Sequence, residues 1–463
     1  METWEQTLGA GPLLGIAAGA IALILFLIIG LKLHAFLVLI LISAVTALAT
    51  GIPVAEIPGV MVSGFGSTLG SVALLVGLGA MLGRLVETSG GAQSLADVLI
   101  RRFGEDKAPF ALGVASLFIG FPIFFDAGLM VMLPVVFAVA RRLGGPILLY
   151  GLPAVGAFSV MHVFMPPHPG PIAAAEFYNA DVGVTLLVGL IMVFPLWYIT
   201  GYVLAKVLGP KYNLPVPELL TGGPLDHDQP AKPASAGSVV ALLAIPPLLI
   251  FLNTGTSMAV AEGWIDADSS LVSIGSFFGN TAIALLIATL IAAYVLGTRR
   301  GLDRSAMEKS LDGALGPICS VVLITGAGGM FGGVLRTSGI GDAVASSMEG
   351  IGIPVILACF LVAVVLRVAQ GSATVALTTA AALMAPAVAA AGYNEWQLGT
   401  IVMATAAGSV FASHVNDSGF WLVGRLMGMD VATTLKTWTV NQTLIGIVGF
   451  AFSYILFQIG ALL

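Results

Sequence analysis

The chain has 463 residues, of which 58% are hydrophobic and 9% charged, with a formal net charge of −6. Soluble domains carry about 25% charged and 45–50% apolar residues, and a globular interior of the present composition would leave too little polar chain to cover it. A soluble enzyme, a nucleic-acid-binding protein and a disulfide-built secreted domain are thereby excluded. The composition points to an all-α polytopic membrane protein.

Met1 to Ala10 contains Glu2 and Glu5 but no basic residue. A cleaved signal peptide opens with positive charge, so the first apolar run, 12–30, reads as a retained helix. Further runs follow at 33–50, 66–86, 108–123, 125–140, 146–164, 183–205, 237–252, 277–297, 313–335, 351–368, 371–390, 397–412 and 438–460. A spanning helix needs roughly 20 apolar residues. The pairs within 108–140 and 351–390 are too short or too rich in glycine for ordinary spans, and each is expected to enter the membrane and return to the same side. The expected layout is about 10 full spans plus two re-entrant hairpins.

Charge supports that layout. Of the 18 Lys and Arg residues, all but Arg84, Arg336 and Arg367 fall on one side. The opposite loops hold Glu56, Glu176, Asp181, Glu262, Asp342 and Glu395 and no basic residue. Basic loops resist translocation, so the basic face is expected to be cytoplasmic. Arg84 and Arg336 read as residues near the membrane interface. The stretch 209–238, rich in proline, glycine and charge, reads as a cytoplasmic linker. It would join a first transmembrane half, 1–208, to a second, 239–463. His227 lies among linker acids and is given no role, and Cys319 and Cys359 read as free packing residues.

The two halves share sequence. Met81–Gly90 (MLGRLVETSG) aligns with Met330–Gly339 (MFGGVLRTSG), and Gly156, His162 and Val163 align with Gly408, His414 and Val415 at nearly the same spacing. In the expected layout these pairs emerge on opposite faces. Inverted repeats with broken helices are a mark of secondary transporters, which bind substrate near the midplane where the repeats meet.

Backbone leaves the helix inside a bilayer only where protein or a water-filled cavity covers it, so proline, glycine and polar clusters within apolar sequence mark candidate sites. In Phe121–Gly128 the carboxylate of Asp126 is flanked on both sides by apolar sequence. A buried acid is protonated, paired or cation-bound, and Asp126 is a candidate proton-coupling group as well as a candidate helix cap. Met161–Pro171 has four prolines in six residues, which rules out helix interior. It reads as an extended break holding His162 and His168 near the external end. Arg367–Thr374 offers an arginine, a natural carboxylate partner, and the Gly-Ser-Ala-Thr start of a helix, whose free amides attract anions. Ser409–Trp421 gathers Ser413, His414, Asn416, Asp417 and Ser418 between apolar runs. Asn416 can donate and accept, and Asp417 can carry a proton or accept from hydroxyls. Arginine and helix ends suit a carboxylate, while serine, threonine, asparagine and histidine suit hydroxyls. No metal-binding or nucleophile–base set is visible, and neither a cofactor nor enzymatic activity is expected.

At these residues the chain resembles the gluconate permease family of proton symporters. The resemblance runs through nearly the whole length: Gly66–Ser71 (GSTLGS), Gly77–Gly83 (GLGAMLG), Gly90–Gln93 (GGAQ), Pro166–Pro171 (PPHPGP), Gly371–Val375 (GSATV), and Ser413–Asp417 (SHVND) with Gly419–Trp421 (GFW). It implies inner-membrane import of gluconate or a related sugar acid with protons. Similarity to the wider ion transporter superfamily implies inverted repeats with re-entrant hairpins, often an elevator movement, and commonly homodimers. Residues in the matching motifs are Thr68, His162, His168, Ser372, Thr374, His414, Asn416 and Asp417. With Arg367 these give the expected substrate site, and Asp126, Asp417 and His168 the expected proton-coupling groups. Asp126 stands where some relatives have glutamate, and Ile172 where a hydroxyl residue is expected. The expected partners are a small carboxylate, protons and membrane lipid. A same-architecture carrier of another anion or amino acid (citrate, a dicarboxylate, glycerate or D-serine), with sodium in place of protons, stays open as a second reading, and a channel or facilitator as a third.

Overall fold

The computed structural model describes residue 4 and residues 6–121, 124–166, 168–217, 233–261, 263–339 and 353–462. Most of the expected linker, with His227, lies outside them, as do Glu2, Glu5, Pro122, Pro167, Glu262 and Asp342. Secondary structure among the described residues is entirely helical. α1 (Ala10–Leu25) continues through a π-helical turn, Phe26–Gly30, and precedes α2 (Ala35–Ala49) and the long α3 (Ile57–Thr88). α4 (Gly91–Phe103) leads to a pair, α5 (Ala108–Gly120) and α6 (Phe125–Leu143). α7 (Ile147–Phe164) is parted by a short break from α8 (Pro169–Phe177), and α9 (Val182–Trp197) runs through the π-turn Tyr198–Val203 into α10 (Leu204–Tyr212).

The order then returns. α11 (Ala236–Ala261), α12 (Ser270–Phe278) and α13 (Thr281–Ala292) precede a second long helix, α14 (Arg304–Thr337). A second pair follows, α15 (Val355–Gln370) and α16 (Ala373–Ala390), then a second interrupted helix, α17 (Glu395–Val410) and α18 (Ser418–Leu426). The chain closes with α19 (Val431–Thr434), the π-turn Leu435–Thr439 and α20 (Val440–Gly460).

Both expected hairpins are thus packed helix pairs. The long helices begin well before their apolar runs. In α14 the charged first turns are held by Asp303, whose side chain accepts from Ala306 N at 2.8 Å, the N-cap bond that satisfies one orphan donor. The proline cluster behaves differently from the extended stretch the sequence suggested. Pro169 and Pro171 fall in the first turn of α8, where a missing N–H costs nothing, so the break is confined to 165–168.

α3 and α14 cross closely because glycines line the crossing. A Cβ on Gly333 would lie 2.9 Å from Gly64 Cα, so these backbones touch as small residues allow inside membranes. Thr68 packs its side chain against Gly329 at the same crossing. The outer surface stays apolar: Leu37, Phe118 and Leu248 are strongly exposed, as expected where lipid is the solvent.

Polar contacts tie the helix ends together. Around the end of α3, Arg141 bonds Glu87 at 3.0 Å, Arg142 bonds Asp97 at 3.1 Å, and Ala234 N donates to Ser89 O at 2.8 Å. Before its start, Gln6 Nε2 donates to Thr50 O at 3.0 Å and also to Ser338 O at 2.8 Å; elsewhere Asp181 N donates to Glu395 at 3.0 Å.

Candidate functional site

The α5–α6 and α15–α16 tips and the two helix breaks meet around a cavity of about 590 Å³. Pockets of roughly 300–1,000 Å³ suit small ligands. Its wall includes Asp126, His162, Arg367, Ser372, Thr374 and Asp417, so six of the expected residues converge.

The most tightly bound part is the second tip. Arg367, buried in the last turn of α15, donates through Nη2 to Asp417 and through Nη1 to the Gly371 carbonyl. Asp417 is the N-cap of α18: its Oδ1 accepts from Gly419 N at 3.0 Å, and its Oδ2 also accepts from Ser413 Oγ. Trp438 Nε1 donates to Ser413 at 2.9 Å, tying the π-turn before α20 to the same carboxylate. A buried ion pair survives when much of its remaining hydrogen-bond capacity is met; here Ser413 and Gly419 N meet that of the carboxylate, while Arg367 Nε has no partner among the described residues. Gly371 has φ +81°, and a Cβ there would overlap the Asn416 carbonyl. The hairpin can turn at that point only with glycine.

Ser372 is the N-cap of α16, its Oγ accepting from Val375 N at 3.3 Å. The leading amides of α16 open beside it, a positive helix end next to the hydroxyls of Ser372 and Thr374 on the cavity wall. Thr374 also contacts His162 Nε2 at 3.5 Å.

The first tip is bare. Phe124, not Asp126, occupies the cap position of α6, and no side chain caps that helix. Asp126 sits in its first turn, lines the cavity, and takes part in no side-chain hydrogen bond or ion pair among the described residues. The capping explanation for this aspartate therefore fails.

Four expected residues lie behind the wall. His168 is buried, with Nε2 3.1 Å from Gly120 O and its ring centroid 5.1 Å from that of His162. It holds the first tip from inside the fold and does not emerge at an outer face. His414 Nε2 and Asn416 Nδ2 both contact Val368 O, at 3.1 and 2.8 Å, so the repeat-matched histidines both turn toward the α15–α16 pair. Thr68 belongs to the α3–α14 crossing. Arg336 Nη1 lies 3.4 Å from Gln370 O at the second tip. Arg84 pairs with Glu87 at 3.7 Å in the last turns of α3.

Sequence reasoning missed Ser159, Asn280, Trp438 and Gln442, all on the cavity wall. The adjacent amides Asn441 and Gln442 inside the last apolar run were the available signal, since polar side chains within spans are rarely idle.

The description of GntP family permeases matches residues 11–459. The chain belongs to that family. It is 37% identical over 451 residues to the Escherichia coli inner membrane permease YgbN, covering 96% of this chain and 98% of the relative. It is 38% identical over 449 residues to the gluconate permease of Bacillus subtilis, covering 96% and 99%. To the E. coli Gnt-II system L-idonate transporter it is 39% identical over 438 residues, covering 95% and 97%. This permease is accordingly a multi-pass inner-membrane transport protein and not an enzyme.

Proposed function

We propose that the chain imports gluconate or a closely related sugar acid together with protons. The observation that carries this reading is one cavity lined by the open N-terminus of α16, two hydroxyls and a carboxylate that has no partner among the described residues. The substrate carboxylate would sit at the α16 amides beside Ser372 and Thr374, where the helix dipole favours an anion. Arg367, engaged by Asp417 and Gly371, would hold that platform in shape and keep positive charge at the wall. Asp126 would carry the proton, because an unpaired ionised carboxylate is costly away from bulk water and a proton removes that cost. His168 would brace the first tip, and His414 and Asn416 the second, each through a backbone carbonyl.

The halves 1–208 and 239–463, joined by 209–238, would be inverted repeats. In support, each contains a long helix, a hairpin and an interrupted helix in the same order. Ser89, just past the end of α3, accepts from Ala234 at the end of the linker, while its sequence counterpart Ser338 accepts from Gln6, which also donates to Thr50 before the start of α3. Alternating access would move the two tips relative to the rest of the fold.

The test is uptake of radiolabelled gluconate into proteoliposomes under an inward proton gradient. Accumulation should disappear when the gradient is collapsed. Asp126→Asn should abolish accumulation yet keep gluconate exchange within about threefold of wild type, a change of under about 1 kcal/mol. Equal loss of both would remove Asp126 from coupling, and accumulation indifferent to the gradient would remove proton symport.

A further inference from the structure

α20 carries adjacent amides, Asn441 and Gln442, both fully buried in a helix that is otherwise strongly apolar. Buried polar groups without partners are costly, and here the partners form one directed chain. Thr200 lies in the π-turn after α9, a wider turn of the kind that recurs at functional sites. Its carbonyl accepts from Asn441 Nδ2 at 2.7 Å. A carbonyl can only accept, so Asn441 presents its nitrogen there and leaves Oδ1 to accept from Gln442 Nε2 at 2.9 Å. Gln442 is thereby fixed with Oε1 toward Ser159, whose Oγ donates at 2.7 Å. Gly156 makes this possible: a Cβ there would lie 3.2 Å from Gly201 Cα and 3.6 Å from Asn441 Nδ2.

Ser159 and Gln442 line the cavity, and Asn441 stands behind them. After the bonds above, Gln442 retains one N–H donor and one acceptor lone pair, and Ser159 retains acceptor capacity. This wall is uncharged and presents donor beside acceptor. A carboxylate needs donors alone, whereas a hydroxyl both gives and receives. We infer that Ser159 and Gln442 form a hydroxyl-reading subsite for the polyol tail of the substrate, with Asn441 as the positioning residue that sets the polarity of Gln442. The subsite rests on the sugar-acid reading and adds to it the residues that separate polyhydroxy acids from plain carboxylates.

The full-length protein in proteoliposomes tests this by equilibrium binding of radiolabelled gluconate against three competitors: unlabelled gluconate, its single-deoxy analogues, and hexanoate. Gln442→Met and Ser159→Ala, on different helices, should each weaken gluconate by about tenfold and shift hexanoate by less than about twofold. Asn441→Leu, which cannot engage the Thr200 carbonyl, should lower the gluconate-to-hexanoate ratio as Gln442→Met does. At least one deoxy analogue should bind wild type and Gln442→Met equally. Equal losses for gluconate and hexanoate, or no loss for gluconate, would overturn the subsite while leaving the transport reading intact. A wild-type protein that binds hexanoate and gluconate alike would overturn the sugar-acid reading and the subsite with it.

Discussion

The two hairpin tips are built on the same plan and finished in opposite ways. At the second, one guanidinium is held by the Asp417 carboxylate and a backbone carbonyl, and the carboxylate is further held by Ser413 and Gly419 N. At the first, the only ionisable group on the cavity wall besides His162 is Asp126, which has no partner among the described residues. A charge pair bonded from several elements is rigid, because each member is costly to expose alone, even though Arg367 Nε at this tip has no partner among the described residues. An unsaturated carboxylate is free to change its state. On the proposed function, the contrast divides the labour between a fixed platform that would orient the ligand and a group whose charge would change during the cycle.

The sharpest way to break that contrast is to break the ion pair at the second tip. Arg367→Met would leave Asp417 buried beside a hydrophobic stem, and removing one member of a buried pair costs about 3–5 kcal/mol. Thermal unfolding in detergent should show that loss. The double variant Arg367→Met, Asp417→Asn should recover a large part of it, because no unpaired charge then remains. A single variant as stable as wild type would mean that the platform does not depend on the pair.

A smaller perturbation separates backbone fit from charge. Gly371 and Gly392 both have positive φ, at +81° and +66°, but a Cβ at Gly392 meets nothing within 4 Å. Gly392→Ala should therefore cost only the left-handed backbone penalty, about 1–2 kcal/mol. Gly371→Ala adds overlap with the Asn416 carbonyl, for a total of roughly 3 kcal/mol. Equal losses at the two positions would show that the hairpin and the α17–α18 break can separate without cost.

Much of this arrangement was legible because charge is so rare in the chain. Arg367, Asp126 and Asp417 stand out against apolar sequence, and the cost of burying them says each must have a purpose. Spans were legible for the same reason, since length and hydropathy decide what can cross a bilayer. What escaped notice was of two kinds. Short elements such as α8 and α18 fall below the length at which an apolar run speaks for itself, and the prolines of α8 read as breakers when they open the helix. Gln442 and Ser159 escaped because uncharged polar residues are tolerated singly in spans; their meaning comes from Asn441 and the π-turn carbonyl, a pairing between distant helices that no local pattern encodes. Thr68, His414 and Asn416 sit in recognisable motifs, but no local pattern told that they lie behind the wall and not on it.

The gentlest test concerns Ser372, where the same hydroxyl is asked to do two things. It caps α16 through a long bond of 3.3 Å to Val375 N, and it lines the cavity. Loss of an N-cap typically costs about 1 kcal/mol, and a bond of this length should fall at or below that figure. Ser372→Ala should thus lower stability by about 0.5–1 kcal/mol. If the hydroxyl also donates to the substrate carboxylate, the dissociation constant for gluconate should rise by about threefold to tenfold, equivalent to one modest hydrogen bond. Ser372→Thr keeps the oxygen and should restore both quantities, whereas Ser372→Gly should recover most of the stability, because glycine is a tolerable cap, but none of the affinity. Stability and affinity that fall and recover together across the three variants would reduce Ser372 to a cap, and the α16 amides alone would then be left to hold the anion.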